Sequence, residues 1–340
     1  MAGLAAAARA RELGADVAVY EKGDRPGGSM YLSSGVVWRY RDWERFREEC
    51  AGGDPELQRI VWERLDDDLA WLEALGAPVT ERDTGNSLTS GVRFDPRRTT
   101  GMLARRAGQI RLLQPLTELP QEAPLILATG GFQGSPDLVR NHITPQASKL
   151  VLRANPWSAG DGLRIALDAG AELSEGLDEF YGRNLAAAPE ISQADFVPLA
   201  QVYARHARVE NLNGEPYVPH TWSEIDVVQW TARQPRARAR YIVPDAVLDE
   251  SLRERTVGEA IDAARRAGAP VEAGDGTTTV EVVAGITTTL GGIRVDSEAR
   301  VADGLYAAGA DVGGISTGGW SSALASALVF GKLAAESALS

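Results

Sequence analysis

The sequence predicts an α/β protein in which a parallel-sheet domain is interrupted by a second domain of mixed α+β character. Three observations carry this. An alanine-rich helix pattern leads through Gly14 into the apolar run Asp16-Val17-Ala18-Val19-Tyr20-Glu21. A second apolar run, Leu125-Ile126-Leu127-Ala128, enters the turn Thr129-Gly130-Gly131. After a long stretch of different composition, residues 286–340 return to the same strand, glycine turn and helix. The chain has 340 residues, 44% hydrophobic and 24% charged, which excludes disorder as its main state and supplies apolar material for about two domains.

Taken in order, residues 2–13 (AGLAAAARAREL) consist of strong helix formers and stop at Gly14, a helix-terminating residue. The run 16–21 reads as a buried parallel strand, the second half of a βαβ unit. Over 41–76 the broken amphipathic pattern of Trp43, Phe46, Leu57, Leu65, Leu69 and Leu72 predicts two helices divided near Gly52-Gly53-Asp54-Pro55. Ile110–Leu113 and Leu125–Ala128 are expected strands, and 160–169 an expected helix capped by Asp161 and closed by Gly170. Residues 133–285 mix strands, loops and aromatics, including Phe180, Tyr181, Tyr203, Tyr217, Trp222, Trp230 and Tyr241, and read as a substrate-facing domain. The strand Gly304–Ala308, a glycine-rich turn and a closing helix from Ser321 to Ser337 complete the chain.

Composition removes several functional classes. Cys50 is the one cysteine, so no internal disulfide, cysteine zinc site or iron–sulfur ligation is expected, and a reducing cytoplasm suits the chain. With 35 Lys and Arg against 47 Asp and Glu, the net charge of -12 repels phosphate backbones, and nucleic acid is not an expected partner. No apolar run reaches the roughly 18 to 20 residues that span a bilayer. Arg9, Arg11 and Glu12 interrupt the stretch that otherwise resembles a signal peptide, so it reads as a helix. His142, His206 and His220 lack the paired spacing of a metal motif.

Two features point to a nucleotide. Glu21 ends a strand 18 residues after Gly3, the spacing at which a carboxylate accepts hydrogen bonds from the ribose of an adenine dinucleotide, although a solvated strand end has the same appearance. The stretch Arg25-Pro26-Gly27-Gly28-Ser29-Met30-Tyr31-Leu32-Ser33-Ser34-Gly35 sets a double glycine where backbone can approach a pyrophosphate. The pattern E-K-x-x-R-P-G-G-S-x-x-x-S-x-G resembles the second FAD fingerprint of the flavoproteins that include fumarate reductases, succinate dehydrogenases and 3-ketosteroid 1-dehydrogenases. In the same order, Ala128-Thr129-Gly130-Gly131-Phe132 resembles their A-T-G-G-F turn. Thr289-Leu290-Gly291-Gly292-Ile293 with Gly304-Leu305-Tyr306-Ala307-Ala308-Gly309 resembles their C-terminal flavin segment. The likeness covers essentially the whole chain, loosely between 50 and 120 and in the inserted domain.

This resemblance implies an N-terminally truncated Rossmann-like FAD-binding domain, 1–132 and 286–340, with an inserted α+β substrate cap domain, 133–285. It implies noncovalent FAD, whose isoalloxazine lies between the two domains. It carries cofactor contacts to Gly3, Glu21, Lys22, Gly27, Gly28, Ser29, Ser33, Gly35, Ala128, Thr129, Gly130, Asp161, Gly309, Asp311, Ala323 and Leu324. Asp311 takes the place of an acid near the ribityl chain. The helix beginning at Ser322–Ala325 is expected to point its positive end at the flavin N1/O2 edge. No histidine lies in 29–35, so a covalent histidyl link is not expected.

The sequence also departs from that family. The first G-x-G-x-x-G fingerprint and its strand are represented only by Met1-Ala2-Gly3, which a late-assigned start, a truncated piece or a loss of tight FAD binding would each explain; the expectation adopted is the late start. Thr288 stands where fumarate-reducing relatives carry a histidine, and Thr221-Trp222-Ser223-Glu224, matching their proton-donating segment, has no arginine. Trp320-Ser321-Ser322-Ala323-Leu324 replaces their N-R-L-G-G run. A dicarboxylate loses its clamps, and a more apolar or carbonyl-bearing small molecule, steroid-like or a secondary metabolite, is expected instead.

Tyr203 and Tyr181 are the candidate proton exchangers, with Thr288 and Trp222 also at the candidate site and Arg183, Arg205, His206 and Glu224 near them in sequence; packing is the competing role for each aromatic. The implied reaction is dehydrogenation or reduction of a carbon–carbon bond adjacent to an activating carbonyl, with hydride exchange at flavin N5. Electrons pass to a quinone or another, unidentified acceptor, since no second nucleotide motif is visible. The alternative is a noncatalytic, truncated FAD-fold remnant that binds a ligand or partner. An NAD-binding dehydrogenase is disfavoured by the R-P-G-G-S motif.

Overall fold

The computed structural model describes residues 1–117, 123–219, 224–252 and 255–340. The chain divides into two compact units, Met1–Ser135 with Asn155–Glu179 and Thr288–Ser340, and Pro136–Ala154 with Phe180–Thr287. Asn155–Glu179, read from sequence as part of the inserted domain, therefore falls in the first unit. Local bonds explain why: the Gly162 amide donates to Thr129 Oγ1 at 3.0 Å, and Lys22 pairs with Asp161 at 2.6 Å.

In the first unit, the helix Ala2–Glu12 is alanine-rich and buried on most of its length, so it packs closely against the closing helix Ala323–Ala338 through Ala6, Ala10 and Ala335. The polypeptide then forms the strand Val19–Tyr20, shorter than the apolar run that predicts it, which pairs in parallel with Ile110–Arg111. A separate ladder joins Leu125–Leu127 in parallel to Leu305–Ala307, which pairs antiparallel with Arg300–Ala302. A three-stranded antiparallel sheet of Val36–Tyr40, Thr89–Phe94 and Val79–Glu81, not anticipated from the sequence, follows the glycine-rich stretch.

The two helices expected within 41–76 are Trp43–Glu49 and Pro55–Ala74. Asp42 and Asp54 cap them through the amides of Arg45, and of Glu56 and Leu57. The long second helix is tied to the closing helix by a buried ion pair, Lys332 to Asp68, and by Arg64 to Glu336 at 2.7 Å; Arg9 reaches the same Glu336 at 2.9 Å. Three helices thus share one network.

The second unit is built on the strand Thr277–Thr289. Val271–Ala273 and Arg238–Pro244 pair antiparallel with it, Arg208–Asn211 extends the sheet beyond Arg238–Pro244, and Val151–Leu152 and Phe180–Ala186 also pair with the long strand. The helices Ile225–Arg233 and Val257–Arg266 bury Val227, Val257, Ala260 and Ile261 in the core that holds Tyr203, Tyr241 and Val280. No helix among the described residues is long and apolar enough to cross a membrane.

Candidate functional site

The candidate site of the first unit assembles four turns. The first is the start of the helix Ala2–Glu12, whose opening turn holds no acidic residue and whose amide dipoles face the nearby Glu21 carboxylate. Gly3 lies against the second turn: a Cβ at Gly3 would sit 3.2 Å from that of Ala128. Gly309, in the third turn, lies against the helix start, with a Cβ there 2.9 Å from that of Ala2.

Asp311 joins the second and third turns. Its carboxylate accepts from the Thr129 amide, from Thr129 Oγ1 at 2.9 Å and from the Gly130 amide at 3.1 Å. It is buried, and burial, only partly offset by these bonds, pushes its pKa up to about 6. Both oxygens are engaged within the protein. The side chain expected beside the ribityl chain therefore acts as a latch that shapes the Ala128–Gly130 turn.

The fourth turn is the double glycine. Gly27 and Gly28 take φ of 107° and 52°, left-handed values that favour glycine, and a Cβ on Gly27 would lie 2.5 Å from Thr100 Cγ2. Ser29 Oγ accepts from Asn155 Nδ2 at 2.9 Å, while Asn155 Oδ1 accepts from the Trp157 and Ser158 amides at 2.9 and 3.1 Å. Asn155 and Ser158 are not among the contacts the sequence predicts, because it places their segment in the inserted domain. The Asn-Pro-Trp-Ser spacing, which suits an Asx-type turn, was the available signal.

Other expected contacts have local partners. Glu21 accepts from the Gly23 amide at 2.7 Å, has no further hydrogen bond to its carboxylate among the described residues, and has its pKa raised chiefly by burial. Lys22 and Asp161 bind each other. Asp161 is not the cap of its helix: left-handed Gly160 occupies that position, and Asp161 opens the helix Asp161–Asp168. Ser33 donates to the Met30 carbonyl at 2.8 Å and accepts from the Gly35 amide at 3.1 Å, which fixes the end of the glycine-rich stretch. Ala323 and Leu324 open the closing helix behind Ser322, whose Oγ takes the Ala325 amide at 3.2 Å.

Two buried polar atoms are left over beside these turns. Thr289 Oγ1 and Gln133 Oε1 have no hydrogen-bond partner among the described residues, and both border Gly131, where a Cβ would collide with the first and lie 2.8 Å from the second. Buried polar atoms are seldom orphaned. An uncapped helix start, a double-glycine turn, an acid at a strand end and two orphaned polar atoms together fit a dinucleotide with a polar ring edge. Thr288, next to Thr289, is buried and donates weakly to the Thr289 carbonyl at 3.4 Å.

In the second unit, Tyr203 does not lie where the sequence reading needs it. It is 0% exposed, stacks edge-on with Tyr241 at 5.7 Å and donates to Gln201 Oε1 at 2.6 Å. Burial pushes its phenol pKa up, which opposes proton exchange. Tyr181 is partly exposed, with the Arg183 guanidinium 4.9 Å over its ring, and its hydroxyl is near enough to influence the Arg153 guanidinium electrostatically. Glu224 accepts from the Ala204 amide at 2.9 Å, and burial raises its pKa to about 7 against the pull of Arg183 and Arg205. His206 accepts from Arg205 at 3.0 Å. Trp222, with Thr221, Ser223 and His220, lies outside the described residues. No group of three metal-ligating side chains is present among the described residues.

The fold and the first-unit site define a dinucleotide-binding flavoprotein. Comparison with known proteins agrees: a family model described as an FAD binding domain matches residues 1–121 and 114–322, and the chain belongs to that family. No curated protein matches it. Among solved structures it is similar to a flavocytochrome c3 fumarate reductase in an open conformation, with a TM-score of 0.71 and 20% identity over 99% of this chain and 76% of that one. It is similar to the 3-ketosteroid-Δ4-(5α)-dehydrogenase of Rhodococcus jostii RHA1 in complex with 4-androstene-3,17-dione, with a TM-score of 0.71 and 17% identity over 100% and 95% of the two chains. It is also similar to the 3-ketosteroid Δ1-dehydrogenase of Sterolibacterium denitrificans in complex with 1,4-androstadiene-3,17-dione, at 0.70 and 16% over 99% and 97%. At these identities the likeness is one of fold.

Proposed function

We propose that the protein is an FAD-dependent oxidoreductase that dehydrogenates or reduces a carbon–carbon bond adjacent to an activating carbonyl of a small molecule. Gly27, Gly28 and the start of the helix Ala2–Glu12 would hold the pyrophosphate, Glu21 the ribose, and Thr289 and Gln133 polar atoms of the ring system. When bound, FAD supplies hydride exchange at its N5. The start of the closing helix, at Ala323 and Leu324, would favour negative charge on the ring if it lies against it.

The observation that carries the acid–base half of this reading is the setting of Tyr181. A phenol that exchanges a proton must pass through phenolate, and two guanidinium groups beside it favour that charge. In this reading the Tyr181 hydroxyl is the group of the second unit that would give or take a proton. Tyr203 supports the same unit from within its core, and Thr288 contributes a hydrogen-bonding hydroxyl without changing charge. In the dehydrogenating direction electrons pass to a quinone or another acceptor.

The test is anaerobic mixing of the FAD-loaded protein with saturated and unsaturated ketones. Bleaching of the flavin band by a saturated ketone, or recovery of the band in reduced protein on adding an enone, is the expected result. A flavin that responds to neither across a broad panel, while remaining reducible by dithionite, would favour the noncatalytic reading.

A further inference from the structure

Arg153 carries an electrostatic problem that its described neighbours do not solve. Its hydrogen bonds among the described residues are to neutral groups: Nε donates to the Phe196 carbonyl at 3.2 Å and Nη1 to Thr287 Oγ1 at 3.0 Å, with the Tyr181 hydroxyl also within its electrostatic reach. Burial disfavours its charge, and the adjacent Arg183 disfavours it further. Neither arginine has a carboxylate within 4.0 Å among the described residues, whereas Arg208 and Arg238 of the same unit pair with Glu210 and Glu281. Glu224 is the acid that Arg183 influences, yet it lies beyond ion-pair distance and spends an oxygen on the Ala204 amide.

Two neighbouring cations, one of them desolvated and held by neutral hydrogen bonds, are unfavourable without an anion. A guanidinium presents a planar fork of donors that matches a carboxylate. We propose that Arg153 and Arg183, flanking Tyr181, form a binding site for the carboxylate of a small-molecule substrate. This rests on the reading of Tyr181 as the proton-exchanging residue, and it narrows the substrate from an uncharged ketone to a carbonyl compound that also bears a carboxylate. The arginines lie outside the segments in which the sequence lacks the dicarboxylate clamps of its fumarate-reducing relatives.

The experiment is calorimetric titration of the FAD-loaded full chain with malonate, which has no reducible carbon–carbon bond, and with dimethyl malonate, at ionic strength fixed with chloride. Malonate is expected to bind and its uncharged ester not to. Because Arg153 also ties Phe196 and Thr287, the primary variant is Arg183→Gln, since the Arg183 guanidinium, besides lying over the Tyr181 ring, makes among the described residues one hydrogen bond, at 3.3 Å to the neighbouring Gly182 carbonyl. Arg183→Gln should weaken malonate at least tenfold, and Arg153→Lys, which keeps charge but loses the fork, should also weaken it. Failure of malonate to bind, equal binding of the ester, or unchanged affinity in both variants would overturn the site. Turnover is scored separately: malonate binding without turnover on any ketone counts against the oxidoreductase reading alone, and turnover without malonate binding against the carboxylate site alone.

Discussion

The Asp311 carboxylate holds Thr129 twice, accepting from both its amide and its hydroxyl, and through this pair the third turn of the cofactor site sets the shape of the second. Removing the side chain in Asp311→Ala leaves the Thr129 and Gly130 amides without partners, at about 1 to 3 kcal/mol for each. Melting temperature and FAD affinity should both fall. A variant that binds FAD as well as the parent would remove Asp311 from the account of the site.

The same residue gives a pH signature. With its pKa raised from 3.8 to about 6, native Asp311 binds a proton that the unfolded chain does not hold across that window. Stability of the cofactor-free protein should therefore gain from this group as pH falls from 6 toward 3.8, and lose that gain as pH rises. Subtracting the profile of Asp311→Asn isolates it from other groups. Parallel profiles for parent and variant would contradict the burial argument.

Two glycines separate helix propensity from close approach. Gly101, within the helix Pro96–Ala107, faces only the end of Arg105 at 3.6 Å, so Gly101→Ala should stabilise by up to about 1 kcal/mol. Gly162 also lies in a helix, but a Cβ there would meet Asp311 Oδ1 at 2.6 Å and Thr129 Oγ1 at 2.7 Å. Gly162→Ala should destabilise and weaken FAD. Equal gains in denaturant midpoint for both variants would show that the turn can yield.

Lys332 and Asp68 form an ion pair that is almost wholly buried. Lys332→Met alone should cost about 3 to 5 kcal/mol because it strands a carboxylate in the interior. Adding Asp68→Leu should restore most of the loss. A double variant no more stable than the single one would mean that the pair holds the helices Pro55–Ala74 and Ala323–Ala338 in register rather than merely neutralising itself.

The two tyrosines make opposite predictions. Tyr203→Phe removes a buried bond to Gln201 and should cost about 1 kcal/mol of stability with turnover unchanged. Tyr181→Phe should lower turnover on order of a hundredfold with an unaltered flavin spectrum. The reverse pattern of rates would return the acid–base role to Tyr203.

Much of the first unit is legible in the sequence because its elements are signalled locally. Gly14, the double glycine and the apolar runs at 125 and 305 each mark a turn or strand with residues close in the chain. What escaped depends on distant partners. Asn155 and Ser158 sit within an aromatic-rich stretch, and only their bonds to Ser29 and within their own turn assign them to the first unit. Tyr203 and Tyr181 have the same composition and similar neighbours; only tertiary packing buries the first and leaves the second partly exposed beside two arginines. Arg153 carried no sequence signal, because its desolvation is a property of the folded sheet.

FAD is proposed to sit on the four turns without a covalent bond. The most direct measurement is a titration of the purified 340-residue chain with FAD, followed by visible absorption and by acid precipitation of the complex. One equivalent of flavin with a shifted spectrum, all of it released to the supernatant, is the predicted result. A spectrum identical to that of free FAD at every ratio, or flavin retained in the pellet, would contradict it.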